Sequence, residues 1–169
     1  MFKPKALEME KFSGILLRME KQKMVFPEKI SLSSHKIIIK ARYNETDKGG
    51  VVHHSIYPIW FELGRTELLR ANKVAYKDLE AAGIFFVVVD LYVRYRRPAV
   101  YDEDMELETA CTNVTASKIE HSYKLIRCSD RVILAEGKST LACVDGKGKI
   151  RRMPEFMYPQ ENFEENAIC

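Results

Sequence analysis

One long helical period sits inside a chain that otherwise reads as strands, and this narrows the folds open to it. From about Ser55 to Asn72, the apolar residues Ile56, Ile59, Trp60, Leu63, Leu68 and Ala71 recur near three- and four-residue steps. Glu62, Arg65, Glu67 and Arg70 are the polar members of that helix. Pro58 falls in its first turn, where a missing N–H costs little. Before it, the β-branched run Ile37-Ile38-Ile39 inside His35–Tyr43 reads as a strand. A short helix over Tyr76–Ala82 stops at Gly83, and the period then turns extended. Ile84–Tyr95, Met105–Cys111, Ile119–Leu125 and Val132–Val144 follow as strands. Short turns between strands favour antiparallel neighbours, so one helix on an antiparallel sheet, an α+β layer architecture, is expected.

A length of 169 residues suits one domain with a real core. The expected division is an N-terminal extension over 1–29, helical in pattern, a domain over 30–155, and a polar tail over 156–169. Acidic residues Glu8, Glu10 and Glu20 argue against a transit peptide in the extension. A net charge of +3 is too small to argue for nucleic acid as the main partner. No apolar run approaches the roughly 20 residues that cross a bilayer. The four cysteines lack C-x-x-C spacing and read as reduced thiols of a cytoplasmic protein. Rossmann, P-loop and α/β-hydrolase motifs are absent.

The chemistry concentrates where the first strand meets the long helix. There the chain runs Tyr43-Asn44-Glu45-Thr46-Asp47-Lys48-Gly49-Gly50-Val51-Val52-His53-His54. Glycines let the backbone turn sharply and approach a ligand, and a helix N-terminus offers unpaired N–H groups with partial positive charge. A carboxylate beside such donors supplies the two needs of acyl hydrolysis, a base or nucleophile and a stabilised oxyanion. Position alone leaves Asp47 equally open to an N-cap or Asx-turn role. Adjacent histidines on a helix point about 100° apart, so His53 and His54 make a poor metal site and no metal or redox cofactor is expected.

Two blocks carry a family likeness. The first combines Tyr43, Thr46-Asp47, Gly50-Val51-Val52, His54 and Tyr57 with Glu62-Leu63-Gly64-Arg65-Thr66-Glu67-Leu68-Leu69-Arg70. The second is Val93-Arg94-Tyr95-Arg96-Arg97-Pro98-Ala99 with Asp102 beyond it. Together they resemble the hotdog-fold acyl-CoA thioesterases, in particular the 4-hydroxybenzoyl-CoA thioesterase family and its Tol–Pal-associated branch. The likeness covers about Lys36 to Pro154, leaving the extension outside it, and His53 stands where the family often has an aromatic residue.

The resemblance implies a long central helix wrapped by an antiparallel sheet, and an enzyme that hydrolyses acyl-CoA, with acyl carrier protein as an alternative carrier. It implies Asp47 as catalytic carboxylate, the main-chain N–H near His54 as oxyanion donor, and a site role for Tyr43. Gly49, Gly50, Val51, His53 and Tyr57 would border the substrate. Arg94, Arg96 and Arg97 form the densest basic cluster, and arginine forks suit CoA phosphates; strand alternation places Arg94 and Arg96 on one face. Lys118 is a weaker phosphate candidate. Another hotdog branch uses a helix glutamate, which makes Glu62 and Glu67 second choices, though i,i+3 pairing with Arg65 and Arg70 explains both. A hydratase would carry aspartate and histidine five apart around Asn-Pro, whereas His53 and His54 follow Asp47 by six and seven. A non-catalytic acyl-CoA binding module is the rival of another class. A homodimer or homotetramer is implied as well.

Overall fold

The computed structural model describes residues 26–159. In chain order it contains β1 (Ser34–Lys40), a 3-10 turn (Tyr43–Glu45), helix α1 (Ile56–Ala71), helix α2 (Tyr76–Ala81), β2 (Phe85–Tyr95), β3 (Asp104–Val114), β4 (Lys118–Arg127), β5 (Ile133–Val144) and a second 3-10 turn (Glu155–Met157). The strands form one sheet in the order β1-β3-β4-β5-β2 with every pair antiparallel. The expected α+β arrangement is thus present, with α1 lying on one face of the sheet and packing most closely on β1 and β3.

The amphipathic spacing fixes which face of α1 turns inward. Tyr57, Trp60, Phe61, Gly64, Arg65, Leu68 and Leu69 are its buried residues. Two glycines let helix and sheet meet closely. A Cβ on Gly137 of β5 would stand 2.3 Å from the Phe61 ring, and one on Gly64 would stand 2.2 Å from Thr109 Oγ1. The core divides in two, around Tyr57, Trp60, Phe61, Leu107 and Leu125 near the start of α1, and around Leu69, Val74, Leu79, Leu141 and Met153 near its end. Arg65, Thr109, His121 and Ser139 are buried as well, and neighbouring strands bring His121 opposite Ser139.

Sequential pairing holds for β3 with β4 and for β4 with β5, but β2 does not pair with β3. After Tyr95 the N–H groups of Arg96 and Arg97 both turn onto the Leu134 carbonyl at 2.8 and 3.1 Å. Ala99, fully buried, then accepts the Val52 N–H at 2.8 Å. This connection carries the chain beneath the loop before α1, across to the side where β3 pairs with β1.

Of the expected N-terminal extension, residues 1–25 lie outside the described part, as do residues 160–169 of the tail. The chain from Phe26 to Ser33 is a strap, with no helix in it, across the far end of α1. Asn72 Oδ1 accepts the N–H groups of Ser31 and Leu32 at 2.8 Å each, and its Nδ2 donates to the Leu32 and Leu68 carbonyls at 3.0 Å. Phe26 stacks on Phe156 at 4.7 Å, and Phe156 and Met157 are buried.

Candidate active site

The loop between β1 and α1 is held by main-chain bonds and by one buried carboxylate. Glu45 Oε2 accepts the Arg42 N–H at 2.8 Å, its Oε1 faces Trp60 Nε1 at 3.4 Å, and its carbonyl accepts the His53 N–H at 2.9 Å. Glu45 therefore ties the 3-10 turn, the helix and the loop's return to one point. Beyond it the Asp47 N–H donates to Val51 O at 2.9 Å and the Gly50 N–H to Asp47 O at 3.0 Å. Gly50 sits at φ +76°, in the left-handed region where a side chain is strained. The turn presents Asp47 outward, with Oδ1 accepting the Gly49 N–H at 2.7 Å in an Asx turn.

Tyr43, Thr46, Asp47, Lys48, His53 and Ser55 border one open depression beside the start of α1. Asp47 is exposed, and its Oδ2 has no hydrogen-bond partner among the described residues. The His53 ring is fixed through Nδ1 to Ser55 Oγ at 2.8 Å and lies 4.1 Å from the His54 ring. Ser55 occupies the N-cap without a side-chain cap bond, since its hydroxyl is turned to His53. The His54 main-chain N–H likewise has no partner among the described residues, while its carbonyl accepts the Tyr95 hydroxyl at 2.9 Å. Asp47 and the first residues of α1 thus border one depression at the positive end of a helix, and the free His54 N–H lies in the chain just before it without lining it.

The sequence candidates separate into groups. Asp47, Tyr43 and His53 meet at the depression; Tyr43 is 78% exposed and stands edge-on to Tyr101 at 5.6 Å. Gly49, Gly50 and Val51 form the turn, and Val51 bridges to Val100. Tyr57 lies in the core at 3% exposure, its hydroxyl 3.4 Å from the Ala99 N–H and its pKa raised chiefly by burial. It supports the loop from behind and stands edge-on to Tyr95 at 5.0 Å. Arg94 is exposed. Arg96 instead grips Glu136 through Nε at 2.7 Å and Nη2 at 2.6 Å, and Arg97 bonds the Arg96 carbonyl at 3.0 Å. The strand ends at Tyr95, so the alternation expected to align Arg94 with Arg96 includes Arg94 but stops short of Arg96. Glu62 pairs with the buried Arg65 at 3.3 Å, and Glu67 pairs with Arg70 on the helix surface, as i,i+3 spacing allows. Sequence reasoning missed Glu45 and Tyr95 as supports of the loop; nothing short of the fold brings Tyr95 to His54. Among the described residues no three His, Cys, Asp or Glu side chains gather as a metal site, and no helix is long and apolar enough to cross a membrane.

Residues 41–160 match the model of the thioesterase-like superfamily. The chain is 31% identical over 118 residues to the acyl-CoA thioester hydrolase YbgC of Escherichia coli, covering 69% of this chain and 87% of that one. It is 32% identical over 124 residues to the acyl-CoA thioesterase YbgC of Haemophilus influenzae, covering 73% and 87%. Among solved structures, the DHNA-CoA thioesterase of Staphylococcus aureus superposes with a TM-score of 0.68 at 29% identity, covering 70% of this chain and 80% of that one.

Proposed function

This chain belongs to the thioesterase-like superfamily, and on that footing we propose that Asp47 is the catalytic carboxylate of an acyl-CoA thioesterase. That the chain is a thioester hydrolase acting on acyl-CoA follows from its relatives. One observation supports the assignment of Asp47: with Oδ2 unpartnered among the described residues, it borders the same depression as Ser55 and Ile56 at the start of α1, next in the chain to the free His54 N–H.

The thioester carbonyl lies over the N-terminus of α1 with its oxygen toward the His54 N–H. Asp47 takes a proton from water, and the hydroxide adds to the carbonyl carbon. The resulting oxyanion is met by the N–H donors and the helix end. Collapse breaks the C–S bond and releases free acid and CoA thiolate, which recovers a proton. Direct attack by Asp47 would give an acyl-aspartyl anhydride that water then opens, with the same products. In one turnover in 18O water, label entering Asp47 identifies the anhydride route with water opening it at the aspartyl carbon, since the general-base route never labels the carboxylate.

Among the described residues Arg94 and Arg97 have no carboxylate partner and are the cations at the end of β2 for the CoA phosphates, since Arg96 is already paired with Glu136. Acyl carrier protein is an alternative carrier for the same thioester.

The test is thiol release from acyl-CoAs of graded length. Asp47→Asn keeps the shape but removes the charge, and turnover should fall about 100-fold or more, the scale of one acid–base group. Near-normal turnover in that variant would remove Asp47 from the chemistry.

A further inference from the structure

The sequence itself leaves the His54 carbonyl without a helical partner. Carried back from α1, the helical ladder would have that oxygen accept the N–H four residues on. Four residues on from His54 stands Pro58, which has no N–H to give. The donor comes from the sheet instead. Tyr95, the last residue of β2, donates its hydroxyl to the His54 carbonyl at 2.9 Å. Its ring is braced edge-on against buried Tyr57 at 5.0 Å.

The neighbouring bonds come from within the loop and the helix. The His53 N–H donates to Glu45 O at 2.9 Å, the Ile56 N–H donates to His53 O at 3.0 Å, and His53 Nδ1 meets Ser55 Oγ at 2.8 Å. The peptide after His54 has one other contact, a long 3.4 Å approach of the Ser55 N–H to His53 Nδ1. Among the described residues, the Tyr95 hydroxyl therefore makes the one hydrogen bond that ties residues 53–55 to a strand.

The same bonds decide where the His54 N–H points. The peptide that carries it is trans, and the carbonyl of that peptide, His53 O, faces α1 through the Ile56 N–H. The N–H is turned the opposite way, away from the helix and alongside the helix's own unpaired N–H groups. His53 and Ser55, on either side of it, both border the Asp47 depression. The two dihedrals of His54 set the aim of this N–H, and they are fixed only while the peptides on both sides of the residue are held.

We propose that Tyr95 is a positioning residue for thioester hydrolysis, its hydroxyl replacing the donor that Pro58 lacks and so holding the His54 N–H in the aim needed at the oxyanion. The inference rests on the reading of the site given above and adds to it a residue from the sheet, which acts through the main chain and touches no reacting atom. Tyr95→Phe removes the hydroxyl and keeps the ring against Tyr57. In thiol release from acyl-CoA, kcat should fall about tenfold, the scale of one hydrogen bond, while KM and the melting temperature stay close to those of the wild type. Tyr92→Phe, which removes a hydroxyl from an exposed tyrosine of the same strand, should leave kcat unchanged. Pro58→Ala returns an N–H four residues on from His54, so in that background Tyr95→Phe should cost about twofold or less. Wild-type kcat in Tyr95→Phe, a loss confined to KM, or a tenfold loss undiminished in the Pro58→Ala background overturns the proposal and leaves the thioesterase standing. No thiol release by the wild type, or near-normal turnover in Asp47→Asn, overturns the reading beneath it.

Discussion

The two oxygens of Asp47 have different duties. Oδ1 closes the turn onto Gly49, while Oδ2 has no partner among the described residues and is the oxygen proposed to act on the substrate. Asparagine preserves the first duty and removes the second; alanine removes both. Asp47→Asn should therefore melt close to the wild type, whereas Asp47→Ala should lose about 1 kcal/mol, the usual worth of such a cap, and urea titration of both separates the duties. His121 permits a prediction of different sign. Its folded pKa of about 3 lies below the ordinary value of 6.5, so the unfolded chain takes up a proton that the folded one refuses. The groups facing it are Arg65 and Tyr76 across a narrow gap and Tyr123 on its own strand, whose ring stacks at 6.3 Å. Stability that is full above pH 6.5 is then lost as pH falls toward 3, at about 1.4 kcal/mol per unit. Unfolding curves at pH 7 and pH 5 should differ by about 2 kcal/mol more in the wild type than in His121→Gln. Equal differences would mean that the ring is not buried neutral.

At the scale of elements, helix and sheet touch through glycine. Gly137→Ala pushes a methyl group into the Phe61 ring, which is fully buried and stacked on Tyr123 at 4.4 Å, so the ring has nowhere to turn. A loss of about 1–3 kcal/mol is expected from this overpacking, measurable by chemical denaturation. Such contacts show how far the sequence could be read. Periodicity located α1 to within a residue at each end, Ser55–Asn72 against Ile56–Ala71, because its inward face follows a single period. The strands came through as well, since β3 and β4 bury alternate residues. The Asp47–Gly50 turn was legible because glycine and aspartate in that order have few backbone options. Arg65 was read as a polar surface member of α1, yet it is buried, and Ile59 and Leu63, read as part of the apolar face, are 59% and 40% exposed. Both errors share a cause: a helical period gives the angle between residues but not which neighbour fills the space, and His121 reaches Arg65 only through β4. The pairing of β2 with β5 was hidden for the same reason, being set by contacts distant in sequence.

For the molecule as a whole, the far edge of the sheet is the unfinished part. In β2 the six residues from Val87 to Tyr92 are all exposed, and five of them, all but Asp90, are large and apolar at 39–56%. One side of the strand is paired with β5, and among the described residues nothing pairs with its other edge. A long apolar edge of this kind pairs with another chain unless something covers it. Two-fold pairing of β2 with itself would cover the strand in both copies with a single self-complementary contact, and we propose the homodimer on that basis, with a tetramer as its doubling. Lysine at Val88 together with lysine at Leu91 places charge on this edge while touching no residue of the Asp47 depression. Light scattering should find the wild type at twice the chain mass or a multiple of it, and the double variant at one chain mass. If the active site draws its far wall from the second copy, thiol release should fall with the dimer, and raising protein concentration should recover it in a single-lysine variant. A wild type that is monomeric at micromolar concentration and fully active would refute the shared edge.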